Sequence, residues 1–289
     1  MPAQANPRRS APRGIAGRRA VLTGATGGLG PVLAAALAAA DVELVLSALP
    51  DAELDALALR LGVPAVAGDL RDPGFPARLV RAAEEALGGV DILVHNAGLE
   101  HVHRFADQSP SALEDVVRVN LLAAMELARL LLPAMEAPGW GRVVFMSSLA
   151  GKTGPACTGA YAASKAGLVA LARSLRSEYR GSGVTASVVV PGFVRGAGMY
   201  GRGAEQAGVG ASRLMGTVSA EAVARATLRA LRREDPEPVV QRGPTRLALA
   251  AAELFPTLVG QRLNRWVGVD RFFRSWARSR DDAREEGRS

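Results

Sequence analysis

Two hydrophobic periods alternate along the chain. Short apolar runs bounded by glycine, proline or charge read as strands: Ala20–Thr23, Val42–Ala48, Val63–Gly68, Val90–His95, Gly141–Ser147, Val184–Val190 and the brief Val239-Val240. Between them, apolar residues recur every three or four positions. These segments predict an alanine-rich helix with Pro31 in its first turn, then helices over Asp51–Leu61, Phe75–Leu87, Ser109–Leu132, Thr158–Tyr179 and Ser219–Arg232. Strands alternating with helices over this length predict an α/β fold, a doubly wound parallel sheet in a single domain spanning 18–243. Residues 1–17, rich in Pro, Ala and Arg and without acids, read as a disordered basic leader. Residues 195–216 carry seven glycines and read as a mobile loop.

Beyond that domain the helical period returns. Leu247, Ala250, Ala251 and Leu254 share a spacing, as do Val259, Leu263, Trp266 and Val267, then Val269, Phe272, Phe273 and Trp276. Five of the 13 aromatics lie in this segment, interleaved with Arg262, Arg265, Arg271, Arg274 and Arg278. We read 244–280 as an amphipathic helical extension and 281–289 as a disordered tail. Two readings stay open for the extension. Its stripe packs on the chain's own sheet, over the substrate cleft or against a second subunit, or it lies in a membrane interface.

Composition narrows the class. A hydrophobic share of 48% supports a buried core, and the single Cys157 excludes an internal disulfide framework and suits a reducing, cytoplasmic setting. The net charge of +7 raises nucleic acid as a partner, but no zinc spacing, helix-turn-helix or aromatic-basic RNA motif accompanies it. Gly24, Gly27, Gly28, Gly30 and Pro31 interrupt the uncharged run after Arg19, which argues against a signal peptide. His101 and His103 flank Val102 beside Glu100, with no convincingly spaced third ligand, so we assign no metal.

The chemistry concentrates in two stretches. Thr23–Gly30, TGATGGLG, joins the first strand to the first helix. Glycines there let the backbone approach a pyrophosphate, and the helix N-terminus presents free N–H groups. Its spacing fits both TGxxxGxG and TGxxGxxG. The second stretch, Ser147–Lys165, holds Ser148, then Tyr161, then Lys165 one helical turn later. The chain has 35 basic residues, yet only Lys152 and Lys165 are lysines. An ammonium ~4 Å from a phenol, at an effective dielectric of ~20, gives about 4 kcal/mol toward the phenolate. We therefore expect Lys165 to lower the pKa of Tyr161.

With Ser148, Tyr161 and Lys165 at this spacing, behind a glycine loop and Asn96-Ala97-Gly98, the chain resembles the short-chain dehydrogenase/reductase family in its classical subtype, over roughly 18–243. The resemblance implies a Rossmann-type fold and an NAD(P)-dependent oxidoreductase that moves hydride between nicotinamide and a carbonyl or secondary alcohol. It implies Tyr161 as general acid/base, Lys165 on the phenol and the nicotinamide ribose, Ser148 on the substrate oxygen and Asn120 in proton relay. Asn120 also breaks a local rule, since Asn suits a helix interior poorly. For the cofactor it implies Gly24, Thr26, Gly28, Leu29 and Gly30 at the phosphates, Asp69 and Leu70 near the adenine, Asn96, Ala97 and Gly98 along the chain's close pass, and Pro191, Gly192 and Val194 at the nicotinamide. His95 replaces the family's first Asn, and Gly196 replaces a Thr. Ala48 and Leu49 end the second strand with neither an acid nor a base, which tilts the choice between NADP and NAD to NADP. A small carbonyl or alcohol substrate, hydrophobic in character, and a homodimer or homotetramer complete the expectation. Epimerisation or dehydration on the same cofactor, and a non-catalytic cofactor-sensing scaffold, are its rivals.

Overall fold

The computed structural model describes residues 14–196, 216–243, 245–255 and 261–286. Among them are β1 (Arg19–Thr23), β2 (Glu43–Ala48), β3 (Ala65–Ala67), β4 (Ile92–His95), β5 (Gly141–Met146), β6 (Val184–Pro191) and β7 (Val239–Val240). They form one sheet in the order β3-β2-β1-β4-β5-β6-β7, with every neighbouring pair parallel. The helices are α1 (Gly30–Ala38), α2 (Ala52–Leu61), α3 (Phe75–Leu87), α4 (Pro110–Val117), α5 (Ala123–Glu136), α6 (Ala150–Thr153), α7 (Gly159–Glu178), α8 (Ala220–Arg233), α9 (Thr245–Leu254), α10 (Gln261–Val267) and α11 (Val269–Glu286).

Burial on both faces explains why the strands are near-continuous apolar runs. Val21, Val45, Leu93 and Val143 point into the core beneath α3, α5 and α7. Leu22, Leu46, Ile92 and Val144 point into the opposite core beneath α1, α2 and α8. The chain winds outward from β1 to β3 and then returns to β4 on the other side of β1. That reversal opens a crevice at the strands' C-terminal ends, where α/β sheets of this type bind ligands.

The helix expected over Ser109–Leu132 is broken. Ser109 caps α4 by accepting the Ala112 N–H at 3.2 Å. A π turn over Arg118–Leu122 follows, closed by the Ala123 N–H on the Arg118 carbonyl, and α5 then runs past Pro133 to Glu136. Asn120 sits in the π turn and is fully buried. The extra residue rotates it off the outer face and into the molecule, as such turns do at functional positions.

The C-terminal helices fold back over the crevice. Asn264 of α10 donates to the Thr153 carbonyl at 2.8 Å, and the Ala156 N–H donates to Asp270 at 3.0 Å. Phe272, Phe273, Trp276 and Ala277 bury themselves with Val102 against Phe193 and Cys157. The last sequence stripe therefore packs inward. The first does not: Leu247 and Leu254 are each 74% exposed, and Leu249 is the buried leucine of α9. Every residue from Leu247 to Ala252 is apolar, so the period cannot select a face. The expected loop over 195–216 and the leader fall almost wholly outside the described residues.

Candidate active site

Close approach explains the glycine loop. Gly24 has φ +65°, and a Cβ on it would stand 2.7 Å from the Ala97 Cα. A Cβ on Gly30 would stand 2.2 Å from the Gly24 carbonyl oxygen. Gly27 faces almost open space, its nearest atom 3.8 Å away. The loop is thus pinned below and open above, as a phosphate cradle requires.

A polar chain beneath the loop ties β1 to β4. Asn96 donates through Nδ2 to the Gly24 carbonyl at 2.9 Å, and the Ala97 N–H donates to the Thr23 hydroxyl at 3.2 Å. That hydroxyl shares a 3.1 Å hydrogen bond with His95 Nδ1. Complete burial drives His95 down to about 3, and the nearby Lys165 charge adds to the shift, so its imidazole is neutral at physiological pH. His95 occupies the place of the family's first Asn and turns its other edge to the backbone of Val119 and Asn120 without a well-aligned bond.

Asn120 is held on three sides. It accepts the Leu99 N–H at 2.8 Å and donates to the Leu99 carbonyl at 3.0 Å and to Ser164 Oγ at 3.0 Å. Ser164 in turn donates to the Tyr161 carbonyl at 2.7 Å. On the β5 side, Ser147 donates to the Lys165 carbonyl at 2.7 Å. Lys165 donates through Nζ to the Met146 carbonyl at 2.9 Å, and that nitrogen lies 5.7 Å from the centre of the Tyr161 ring. A Cβ on Gly98 would meet Lys165 Nζ at 3.1 Å, so only glycine leaves this approach clear.

The electrostatics correct one expectation. Burial pushes the Tyr161 phenol well above its usual value, the Glu100 charge adds to this, and a hydrogen bond with Ser148 opposes it. Burial also draws Lys165 down to about 8, against the pull of Glu100. Desolvation is thus the largest influence on both groups, and Tyr161 is held as the protonated phenol.

A cleft of about 380 Å³ joins these parts. Gly24, Gly28, Leu29, Asn96, Ala97, Gly98, Ser148, Tyr161, Lys165, Pro191, Gly192 and Val194 line it. Of the other expected residues, Asn120 stands behind this lining and Gly30 beneath it. Asp69 is paired with Arg71, which also reaches Asp115 at 3.6 Å, and Leu70 is a core residue. Thr26 turns away to an acid just beyond the end of β2. Its hydroxyl lies 3.4 Å from Asp51 Oδ2, while Asp51 Oδ1 caps α2 by accepting the Leu54 N–H at 2.7 Å. The strand-end positions Ala48 and Leu49 do not include this acid, although the sequence carries its signal: a cap before α2 lies three residues past β2.

Opposite the glycine loop the lining comes from Phe193 and the C-terminal helices, through Leu249, Val267, Phe272, Phe273 and Trp276. Phe272 and Phe273 meet edge to face with centroids 5.2 Å apart, and Phe273 stacks on Trp276 at 6.0 Å. This wall is mostly apolar and aromatic, with Thr245 and Asn264 as the polar residues these helices add to the lining. Glu100 also lines the cleft, whereas the sequence links it only to the histidines beside it.

A glycine cradle at the switch point of a parallel sheet defines a dinucleotide-binding protein, and a half-buried tyrosine and a buried lysine facing it suit one that moves hydride and a proton. The comparisons agree. The short chain dehydrogenase profile matches residues 18–207, and the chain belongs to that family. The ketoacyl reductase HetN of Nostoc sp. is 37% identical over 276 residues, covering 92% of this chain and 94% of that one. A D-beta-hydroxybutyrate dehydrogenase of Cupriavidus necator is 33% identical over 183 residues, covering 62% of this chain and 71% of that one. A solved putative short-chain alcohol dehydrogenase of Sinorhizobium meliloti superposes with a TM-score of 0.70 at 28% identity, over 81% of this chain and 98% of that one. The protein is an NAD(P)-dependent oxidoreductase acting on CH–OH and C=O groups.

Proposed function

We propose that the protein transfers a hydride between nicotinamide and the carbonyl or secondary alcohol of a hydrophobic substrate, with Tyr161 as general acid/base. One observation carries this reading: Ser148, Tyr161 and Lys165 share a single cleft with the glycine loop on one side and an aromatic wall on the other. The loop's missing Cβ atoms and the clear approach at Gly98 fit a dinucleotide held along Gly24, Gly28, Leu29, Asn96–Gly98 and Pro191–Val194. Bound NAD(P)H supplies the hydride.

The remaining work falls to the chain's own side chains. A phenol kept protonated by burial is in the form that donates. Tyr161 gives its proton to the carbonyl oxygen in reduction and accepts it back in oxidation. Ser148 hydrogen-bonds the same oxygen and the phenol, holding both in line. Lys165 places a positive charge and its donors beside the nicotinamide ribose and the tyrosine. Asn120 fixes the Leu99 backbone and, through Ser164, the Tyr161 carbonyl, which orients the relay behind the phenol. The aromatic wall excludes water and favours an apolar group next to the carbonyl.

The lean to NADP rests on the absence of an acid after β2, and Asp51 supplies one. A carboxylate beside Thr26 accepts from a ribose 2′-hydroxyl and repels a 2′-phosphate, which supports NAD.

The test is Tyr161→Phe, assayed on a panel of ketones, aldehydes and alcohols with both cofactors by nicotinamide absorbance. We expect near-complete loss of turnover with cofactor affinity kept. Substantial residual turnover would remove Tyr161 from the acid/base role.

A further inference from the structure

The C-terminal helices have a second face. On α9, Ala248 and Leu249 line the cleft, and on α10 Asn264 and Val267 do. Other apolar residues of this segment point the other way. Leu247 and Leu254 are each 74% exposed, Phe255 is 54% exposed and Trp266 is 76% exposed. These are four of the nine large apolar side chains exposed among the described residues, and all four lie between positions 247 and 266. Burial of the inner aromatics therefore leaves this outer set facing solvent.

The charge on this face is net positive. Residues 245–267, which span α9 and α10, hold three arginines, Arg246, Arg262 and Arg265, against one acid, the exposed Glu253. Arg262 and Arg265 are exposed and share the outer side of α10 with Trp266, at one-turn spacing. No helix among the described residues is long and apolar enough to cross a membrane.

We propose that the outer face of α9 and α10 is a docking surface for an anionic lipid bilayer. Leucine, phenylalanine and tryptophan enter the interface while the flanking arginines meet lipid phosphates, the pattern of a peripheral interfacial helix. A second copy of the chain fits this face less well when the two-fold axis passes near α10, since Arg262 and Arg265 then meet their own counterparts. Since the same helices wall the cleft, a lipophilic substrate leaving the bilayer meets the site without crossing water.

The experiment uses the full chain and flotation with vesicles of phosphatidylcholine alone or mixed with phosphatidylglycerol. We expect flotation with the anionic vesicles only, weakened by salt. The double substitution Arg262→Gln/Arg265→Gln is expected to cut partitioning roughly tenfold or more, and Trp266→Ser to cut it comparably. Reduction of a water-soluble ketone and the molar mass by light scattering should be unchanged in both variants, which separates this surface from the reaction assigned above. Absence of flotation, or flotation equal on neutral vesicles and indifferent to the arginines, overturns the proposal. A fall in molar mass on Trp266→Ser overturns it in favour of a subunit contact.

Discussion

Asn120 grips Leu99 with both ends of its amide, accepting the Leu99 N–H at 2.8 Å and donating to the Leu99 carbonyl at 3.0 Å. The side chain thus acts as a strand partner for the segment leaving β4, and the π turn brings it within reach. Replacing it by alanine leaves two part-buried Leu99 backbone groups without their partner, at about 1–3 kcal/mol for each group left unsatisfied, while Ser164 keeps its bond to the Tyr161 carbonyl. We expect Asn120→Ala to lower Tm by several degrees and kcat by more than it raises the cofactor Kd. An unchanged Tm would show that the clamp carries no stability.

Lys165 makes stability depend on pH. Its folded pKa lies at about 8 against an ordinary 10.5, because burial penalises the charge. Between those values the unfolded chain keeps a proton that the folded one has lost, so stability rises with pH across that window. Below it the whole penalty is present, roughly 3 kcal/mol. Lys165→Met keeps the stem and removes the charge. It should raise Tm near neutral pH, with the gain shrinking toward the upper end of the window, while turnover is lost. Melting curves over a pH series check this, and a variant less stable at every pH would contradict it.

Asp51 offers a clean separation of charge from capping. Asp51→Asn keeps an oxygen for the Leu54 N–H, so Tm should stay within about a degree or two. The lost charge should shift the ratio of NADP to NAD dissociation constants by about tenfold toward NADP. Nucleotide titrations of wild type and variant decide it; an unmoved ratio would place Asp51 outside the ribose site.

Phe273 sits at the centre of the aromatic wall, and its truncation leaves a cavity. Phe273→Ala should cost about 3–5 kcal/mol of stability. KM for a bulky apolar ketone should rise further than KM for a small one. Equal effects on the two substrates would mean that the wall shapes the fold and not the choice of substrate.

How far the sequence can be read follows from local physics. The central strands are legible because burial on both faces forces unbroken apolar runs, and Phe75–Leu87 is bounded in the structure as expected. Asn120 stands out as a misfit, but a π turn has no composition of its own, so the break in the helix is invisible. Asp51 is hidden because it does two things at once: its position before α2 is fully accounted for by capping, and nothing local marks the second oxygen as facing Thr26. In α9 the apolar residues surround the helix, so only packing decides that Leu249 turns inward. Spacing puts Lys165 beside the phenol but does not report burial, which is the largest influence on both groups and raises the phenol where a lowering was expected.

The cleft is assembled from the two ends of the polypeptide. The glycine loop ends at Gly30, whereas most of the wall opposite arrives only with Leu249 to Trp276. Domains fold as units during synthesis. The loop therefore leaves the ribosome long before the wall that completes the same cleft. A chain truncated ahead of α9 keeps the tyrosine, the lysine and the loop but lacks the aromatic side chains of α11 that face them.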